Sequence, residues 1–202
     1  MSDDLNPSTR LIYLHGFLSS PESQKALSLV NYAQTELDDL ISQGKLELLV
    51  PALSPKPEEA IDQIEKLISG STRKVFIGSS LGGFYSIYLA EKFACKAILV
   101  NPLVALQESL ADSFLGHHTN LYTGEEFDLE LSDAEYLLTL EQAHIKQQDN
   151  YLLLLETGDE VLDYKQALDK FPQAKQIIVQ GGNHRFESFE KYLPEMIAFA
   201  EL

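Results

Sequence analysis

Residues Lys74–Tyr85 read KVFIGSSLGGFY. Lys74–Ile77 is a short run dominated by apolar residues, of the kind that forms a buried parallel strand. Leu81–Phe93 is apolar on most sides and continues as a well-buried helix. Only Gly78-Ser79-Ser80 is left between them, so strand and helix join almost without a loop. So tight a turn needs small residues around Ser80, and Gly78, Ser79, Gly82 and Gly83 meet that need. It pushes the Ser80 hydroxyl outward at the end of a sheet, with the positive end of a helix behind it. Three fixed positions in the pattern Gly-x-Ser-x-Gly arise by chance about once in fifteen chains of this length. The strand before and the helix after give the pattern its specificity.

The same alternation extends in both directions. Short apolar runs recur at Leu11–Leu14, Leu46–Val50, Ala97–Val100, Tyr151–Leu155 and Gln176–Val179. Helical periods lie between and after them. Ser23–Ile41 carries Ala26, Leu27, Val30, Ala33, Leu37, Leu40 and Ile41. Pro57–Ile68 has its proline where a helix tolerates one. Asp163–Phe171 and Ser188–Ala200 complete the set, and residues 1–10 read as a loose lead-in. Strand alternating with helix predicts an α/β fold, a mainly parallel sheet with helices on both faces. Ligands on such sheets bind at the carboxyl ends of the strands, near a topological switch point.

The chain has 202 residues, 31 acidic and 15 basic, for a net charge of −16. That length fits one domain over 1–202 and is short for a β/α barrel. The charge opposes binding to phosphate backbones and to anionic membranes, so neither nucleic acid nor membrane is an expected partner. The N-terminus lacks the basic and apolar regions of a secretory signal, and the single Cys95 excludes an internal disulfide framework. A cytoplasmic location is the expectation. One connection breaks the rhythm: 50 residues separate Val100 from Tyr151. Within them Val104–Phe114 and Ser132–His144 look helical, so about 103–150 reads as a cap-like insertion over the functional edge. From Ala97 to Ile145 there is no Lys or Arg, against nine acids, Glu108, Asp112, Glu125, Glu126, Asp128, Glu130, Asp133, Glu135 and Glu141. Such a segment is a solvated acidic face or a cap whose field disfavours anionic substrates.

A serine hydroxyl is a weak nucleophile and needs a base. Of the five histidines, only His184 follows a late strand, in Gly181-Gly182-Asn183-His184. On sheets carrying this type of elbow the chain order is serine, acid, histidine. The acid therefore belongs in Glu156-Thr157-Gly158-Asp159-Glu160-Val161, after Tyr151–Leu155. Asp159 is the choice, because it follows the glycine turn. Glu156 reads as the strand end, Asp163 as a helix N-cap, and Glu160 is a rival. An oxyanion needs backbone N–H donors. Leu81 supplies one, and Phe17 in His15-Gly16-Phe17 supplies the other. His15 reads as a brace for its own loop. Leu18, Leu103, Leu162 and Phe186 flank these positions and are candidate substrate contacts, with plain core residues as the alternative. Arg185 could meet an anionic group or form a surface salt bridge, and Cys95 reads as a small buried hydrophobe.

With these segments in view, the chain resembles the α/β-hydrolase superfamily from Leu11 to Leu202. It is most similar to the small bacterial YqiA-type esterases. The likeness is carried by Tyr13-Leu14-His15-Gly16-Phe17, by Gly78–Tyr85, by Glu156–Tyr164 (ETGDEVLDY) and by Gly181–Phe186 (GGNHRF). The resemblance implies a compact α/β-hydrolase fold lacking the first two strands of larger relatives. The sheet expected is six-stranded, in the order 2-1-3-4-5-6. The resemblance further implies esterase or thioesterase activity with a triad at Ser80, Asp159 and His184, acting on a small-molecule ester or thioester without metal or organic cofactor. The alternatives are another acyl hydrolase, such as an amidase or lipase, or a non-catalytic binding protein on the same fold.

Overall fold

The computed structural model describes residues 9–70, 72–106 and 113–202. Eight strands alternate with seven helices among them: β1 (Thr9–Leu14), α1 (Gln24–Glu36), α2 (Asp38–Ser42), β2 (Leu46–Leu49), α3 (Pro57–Leu67), β3 (Arg73–Ser79), α4 (Leu81–Phe93), β4 (Lys96–Val100), β5 (Gly116–Thr119), β6 (Glu126–Leu129), α5 (Leu131–Leu140), β7 (Tyr151–Glu156), α6 (Tyr164–Lys170), β8 (Lys175–Val179) and α7 (Leu193–Ala200). Six strands form one parallel sheet in the order β2-β1-β3-β4-β7-β8, the order expected. The direction of strand addition reverses between β1 and β3. The Ser80 turn and the His15–Phe17 loop leave the sheet at the carboxyl ends of those two strands.

The near-continuous apolar runs have a simple cause: both faces of the central strands are covered. Leu11 and Tyr13, Val75 and Ile77, Ile98 and Val100, and Leu152 and Leu154 point to one core, shared with Ala26, Leu29 and Met196. Ile12, Leu14, Phe76, Ala97, Leu99, Leu153 and Leu155 point to the other, shared with Ile61, Ile64, Phe84 and Ile87. Every second side chain thus faces α1 and α7, and the rest face α3, α4 and α6. Helix α3 begins at Pro57, carries Glu58 and Glu59 in its first turn and Lys66 in its last, in keeping with the helix dipole.

Several boundaries differ from the sequence reading. Thr9 and Arg10 are strand residues of β1, so only residues 1–8 of the expected lead-in fall outside the description. Ser23–Ile41 is two helices. Leu37 leaves helical geometry (φ −119°), which puts Asp38 and Asp39 in a fresh first turn where negative charge is favoured. Leu27 is exposed and Leu29 is buried in its place. Ser188–Ala200 starts as a 3-10 turn, Phe189–Tyr192, and becomes α-helix only at Leu193. Pro194 explains the break, since a proline inside a longer helix would lose a hydrogen bond and clash with the preceding turn.

The segment between β4 and β7 holds an antiparallel hairpin, β5–β6, that the sequence reading does not contain. Its strands are short and mostly polar, GHHT and EFDL, and carry little alternation to read. The helix expected over Val104–Phe114 lies largely outside the described residues. Helix α5 occupies much of the expected Ser132–His144 and docks on α3, where Lys56 bridges Asp133 at 2.8 Å. Glu130 and Asp133 form a reciprocal capping box, and Glu141 accepts the Leu106 N–H at 3.0 Å. Part of the acidic run therefore serves backbone donors.

Candidate active site

Ser80 sits between β3 and α4 with φ +55° and ψ −119°, a strained backbone for a residue with a side chain. The turn is held on several sides. The Ser80 N–H donates to Val100 O at 3.2 Å, and Ser80 O accepts from Gly83 at 2.9 Å and Leu103 at 3.1 Å. A Cβ at Gly82 would run into the Leu14 carbonyl, so glycine there lets α4 start directly against β1.

Three side chains from separate loops meet at this turn. His184 Nε2 lies 3.0 Å from Ser80 Oγ, and His184 Nδ1 lies 2.8 Å and 3.0 Å from the two oxygens of Asp159. A carboxylate can only accept, so Nδ1 carries the proton and Nε2 is free to accept from the serine. The Asp159 side chain is 1% exposed. Its Oδ1 also accepts the N–H groups of Val161 and Leu162, both at 2.9 Å, which locks the carboxylate in place. The rivals stand elsewhere. Glu156 closes strand β7 and is buried, Asp163 caps α6 through the Lys165 N–H, and Glu160 is exposed and accepts the His184 N–H at 3.0 Å. That bond holds the Glu160 carboxyl below its usual range.

The Leu81 N–H opens α4 and has no intrahelical partner, as at any helix start. On the facing loop, the Phe17 ring packs between insertion residues, 4.5 Å from Phe114 and 5.0 Å from His118, centroid to centroid. Asn120 of the hairpin turn donates to Ser19 O at 3.0 Å. The segment between β4 and β7 thus grips the loop that carries the Phe17 N–H. His15 braces the same loop from beneath. Its Nε2 accepts the Leu53 N–H at 3.2 Å, so its Nδ1 carries the proton and donates to Gly16 O at 3.0 Å.

Burial lowers the His15 pKa. The unfolded histidine gains its proton near pH 6.5, whereas the folded one resists until lower pH. Its contribution to stability is therefore present above about pH 6.5 and is lost as pH falls toward the folded value. In urea unfolding, the advantage of the wild type over His15→Asn is expected to shrink between about pH 7.5 and pH 5. A constant advantage across that range would mean that His15 braces the loop without titrating.

A small cleft of about 30 Å³ opens beside Gly16, Phe17 and Leu81, walled by Leu53, Tyr85 and Phe127 with Glu125 at its edge. None of the four expected substrate contacts lines it. Phe186 is 0% exposed and packs edge-on to Tyr192 in the core shared with α1 and α7. Leu103 is buried in the opposite core, and Leu162 packs against that core. Leu18 is half-buried, at φ +53°. Proximity in sequence to a site residue does not set the direction of a side chain. Leu103 and Leu162 instead serve the site through their backbone N–H groups, on Ser80 O and Asp159. Arg185 is exposed, and its carbonyl accepts from Lys25 at 2.6 Å. A larger concavity, about 350 Å³, lies at the far ends of β3 and β4 beside Cys95. Its cations are engaged, Arg73 and Lys96 by Glu201 and Lys74 by two backbone carbonyls. Burial pushes the Cys95 thiol up to about 12, far from a reactive thiolate. Among the described residues no three His, Cys, Asp or Glu side chains gather as metal ligands would, and no helix is long and apolar enough to cross a membrane.

The family model for "Uncharacterised protein family (UPF0227)" matches residues 10–201, nearly the whole chain. The chain belongs to the UPF0227 family. Solved structures place the UPF0227 chain among α/β-hydrolase folds. It is similar to alpha/beta hydrolase domain-containing protein 10 from mouse, at TM-score 0.65 and 16% identity, over 94% of this chain and 88% of that one. It is similar to a monoacylglycerol lipase from Paleococcus ferrophilus, at TM-score 0.64 and 15% identity, over 95% and 93%. It is similar to Est1E from Butyrivibrio proteoclasticus with ferulic acid bound, at TM-score 0.58 and 14% identity, over 96% and 88%.

Two contacts to the His184 loop of this UPF0227 chain escape the sequence reading, which weighed Glu156 only as a rival acid at the strand end. Asn101, directly after β4, is buried and contacts the His184 loop, and Glu156 contacts the same loop from β7. One sequence signal exists for the second: a glutamate closing an otherwise apolar strand must find hydrogen-bond donors. Asn101 offers none, because its partners lie 55 and 82 residues away.

Proposed function

We propose that the protein is a serine hydrolase that cleaves carboxylic esters or thioesters through an acyl-enzyme. One observation carries this reading: the unbroken Asp159–His184–Ser80 line, at 2.8 and 3.0 Å, ending on a strained strand-to-helix turn. In the first half-reaction His184 Nε2 takes the Ser80 proton as Oγ bonds to the substrate carbonyl carbon. The carbonyl electron pair moves onto oxygen, facing the Leu81 and Phe17 N–H groups. Collapse breaks the bond to the alkoxide or thiolate, which leaves with the proton from His184. Water then attacks the acyl-enzyme with the same base, and Ser80 recovers its proton. Asp159 keeps the tautomer and stabilises the imidazolium throughout. The monoacylglycerol lipase among the fold neighbours supports ester chemistry on this scaffold.

The test is turnover of a p-nitrophenyl series from acetate to palmitate, run beside acyl thioesters, with labelling by a serine-directed fluorophosphonate. Hydrolysis and stoichiometric labelling at Ser80 are expected. The absence of both turnover and labelling would sink the reading. The acidic surroundings add an expectation about charge. Glu125 stands at the cleft edge, so neutral or cationic short-chain esters should outperform anionic ones at low salt, with the gap closing as salt screens it. Equal rates for all substrate charges, insensitive to salt, would rule out that field effect.

A further inference from the structure

His184 lies outside regular secondary structure, on the turn that follows the edge strand β8. No ladder of backbone bonds fixes its peptide. We propose that Asn101 and Glu156, which take no part in the chemical steps, are positioning residues that set the His184 backbone for proton transfer. The proposal rests on the serine-hydrolase reading above.

The contacts form a cradle. Asn101 Nδ2 donates to Asn183 O at 3.0 Å and reaches His184 O at 3.4 Å. Its Oδ1 accepts the Glu156 N–H at 2.9 Å. That N–H can only donate, so it fixes which way the amide points and leaves the NH₂ for the two carbonyls. Glu156 Oε2 accepts the Asn183 N–H at 2.8 Å, and Oε1 accepts the Ser188 hydroxyl at 2.7 Å. Glu160 takes the His184 N–H. The Asn183 N–H and the Asn183 and His184 carbonyls are thereby held by side chains at the ends of β4 and β7, the His184 N–H by Glu160 in the loop beyond β7, and Asn183 O also accepts the Phe186 N–H at 3.1 Å. Gly182, at φ +75°, makes this approach possible, because a Cβ there would strike the Glu156 carboxyl.

Asn101 and Glu156 are each 2% exposed. Burying a carboxamide and a carboxyl is costly unless both are fully hydrogen-bonded. An apolar pair would hold the turn down at lower cost, but it would leave the peptide free to rotate. Rotation matters at this position. The imidazole reaches both Asp159 and Ser80 from this peptide orientation, and a misplacement of about 1 Å costs a reaction about 100-fold.

The test compares kcat, KM, fluorophosphonate labelling rate and melting temperature. Asn101 sits at φ +39°, so Asn101→Gly deletes the side chain without straining the backbone. It is expected to lower kcat about 10- to 100-fold, slow labelling by the same factor and leave KM within about threefold. Glu156→Gln keeps an acceptor for the Asn183 N–H and should stay within about threefold of wild type, while Glu156→Leu should match Asn101→Gly. Each comparison is made against an active wild type, so an inactive wild type would count against the hydrolase reading and not against the cradle. A folded Asn101→Gly with normal kcat and labelling, and only a lower melting temperature, would overturn the proposal. So would a Glu156→Gln as impaired as Glu156→Leu, since charge would then matter rather than geometry. If Asn101→Gly does not fold, the Glu156 pair decides alone.

Discussion

Ser80→Ala is expected to lower kcat for p-nitrophenyl ester hydrolysis by about 10⁵- to 10⁶-fold, the scale seen when a triad nucleophile is removed. That corresponds to about 7–8 kcal/mol of lost transition-state stabilisation. The fold should survive. Alanine at φ +55° bears the same backbone strain as serine, and the substitution removes one hydrogen bond, between the hydroxyl and His184. The melting temperature should stay within a few degrees, so a dead variant will not be an unfolded one. Retention of wild-type turnover by Ser80→Ala would place the chemistry elsewhere on the molecule.

The second large effect is expected at Asp159. Asp159→Asn should lower kcat about 10⁴-fold, with KM changed little. The cause lies in the local hydrogen bonds. Oδ1 accepts from the Val161 and Leu162 N–H groups, so an asparagine would turn its oxygen toward those donors. Its NH₂ would then occupy the Oδ2 position, 2.8 Å from His184 Nδ1, and would donate to that nitrogen. The ring would switch tautomer, Nε2 would carry the proton, and it could no longer accept one from Ser80. Single-turnover acylation kinetics give the readout. A loss smaller than about tenfold would move the orienting role to another carboxylate, and Glu160 on the His184 N–H would be the next to test.

The two residues lie on loops that differ in how they can be read. The Ser80 turn is visible because an apolar run, three small residues and a helical period follow one another without a gap. The acid and the histidine are visible because each follows a recognisable strand in the order such sheets use. The Ser23–Ile41 segment misleads in one respect: its apolar period continues through Leu37 although the backbone turns there. Side-chain direction is not legible at Phe186, whose neighbour His184 faces Ser80 while its own ring faces the core. The β5–β6 hairpin is equally hidden, because its stability comes from packing Phe127 and His118 around Phe17, about 100 residues earlier in the chain.

What the amino-acid order determines by itself is therefore local and periodic. It defines which runs become strands, where the chain must turn sharply, and which serine, acid and histidine stand at strand ends. What only the tertiary structure decides is how groups distant in sequence satisfy one another. Asn101 and Glu156 become a cradle for His184 because parallel strands β4 and β7 end side by side, next to the turn leaving β8. A buried polar side chain must find partners wherever the folded chain supplies them, and no periodicity along the sequence records where that will be.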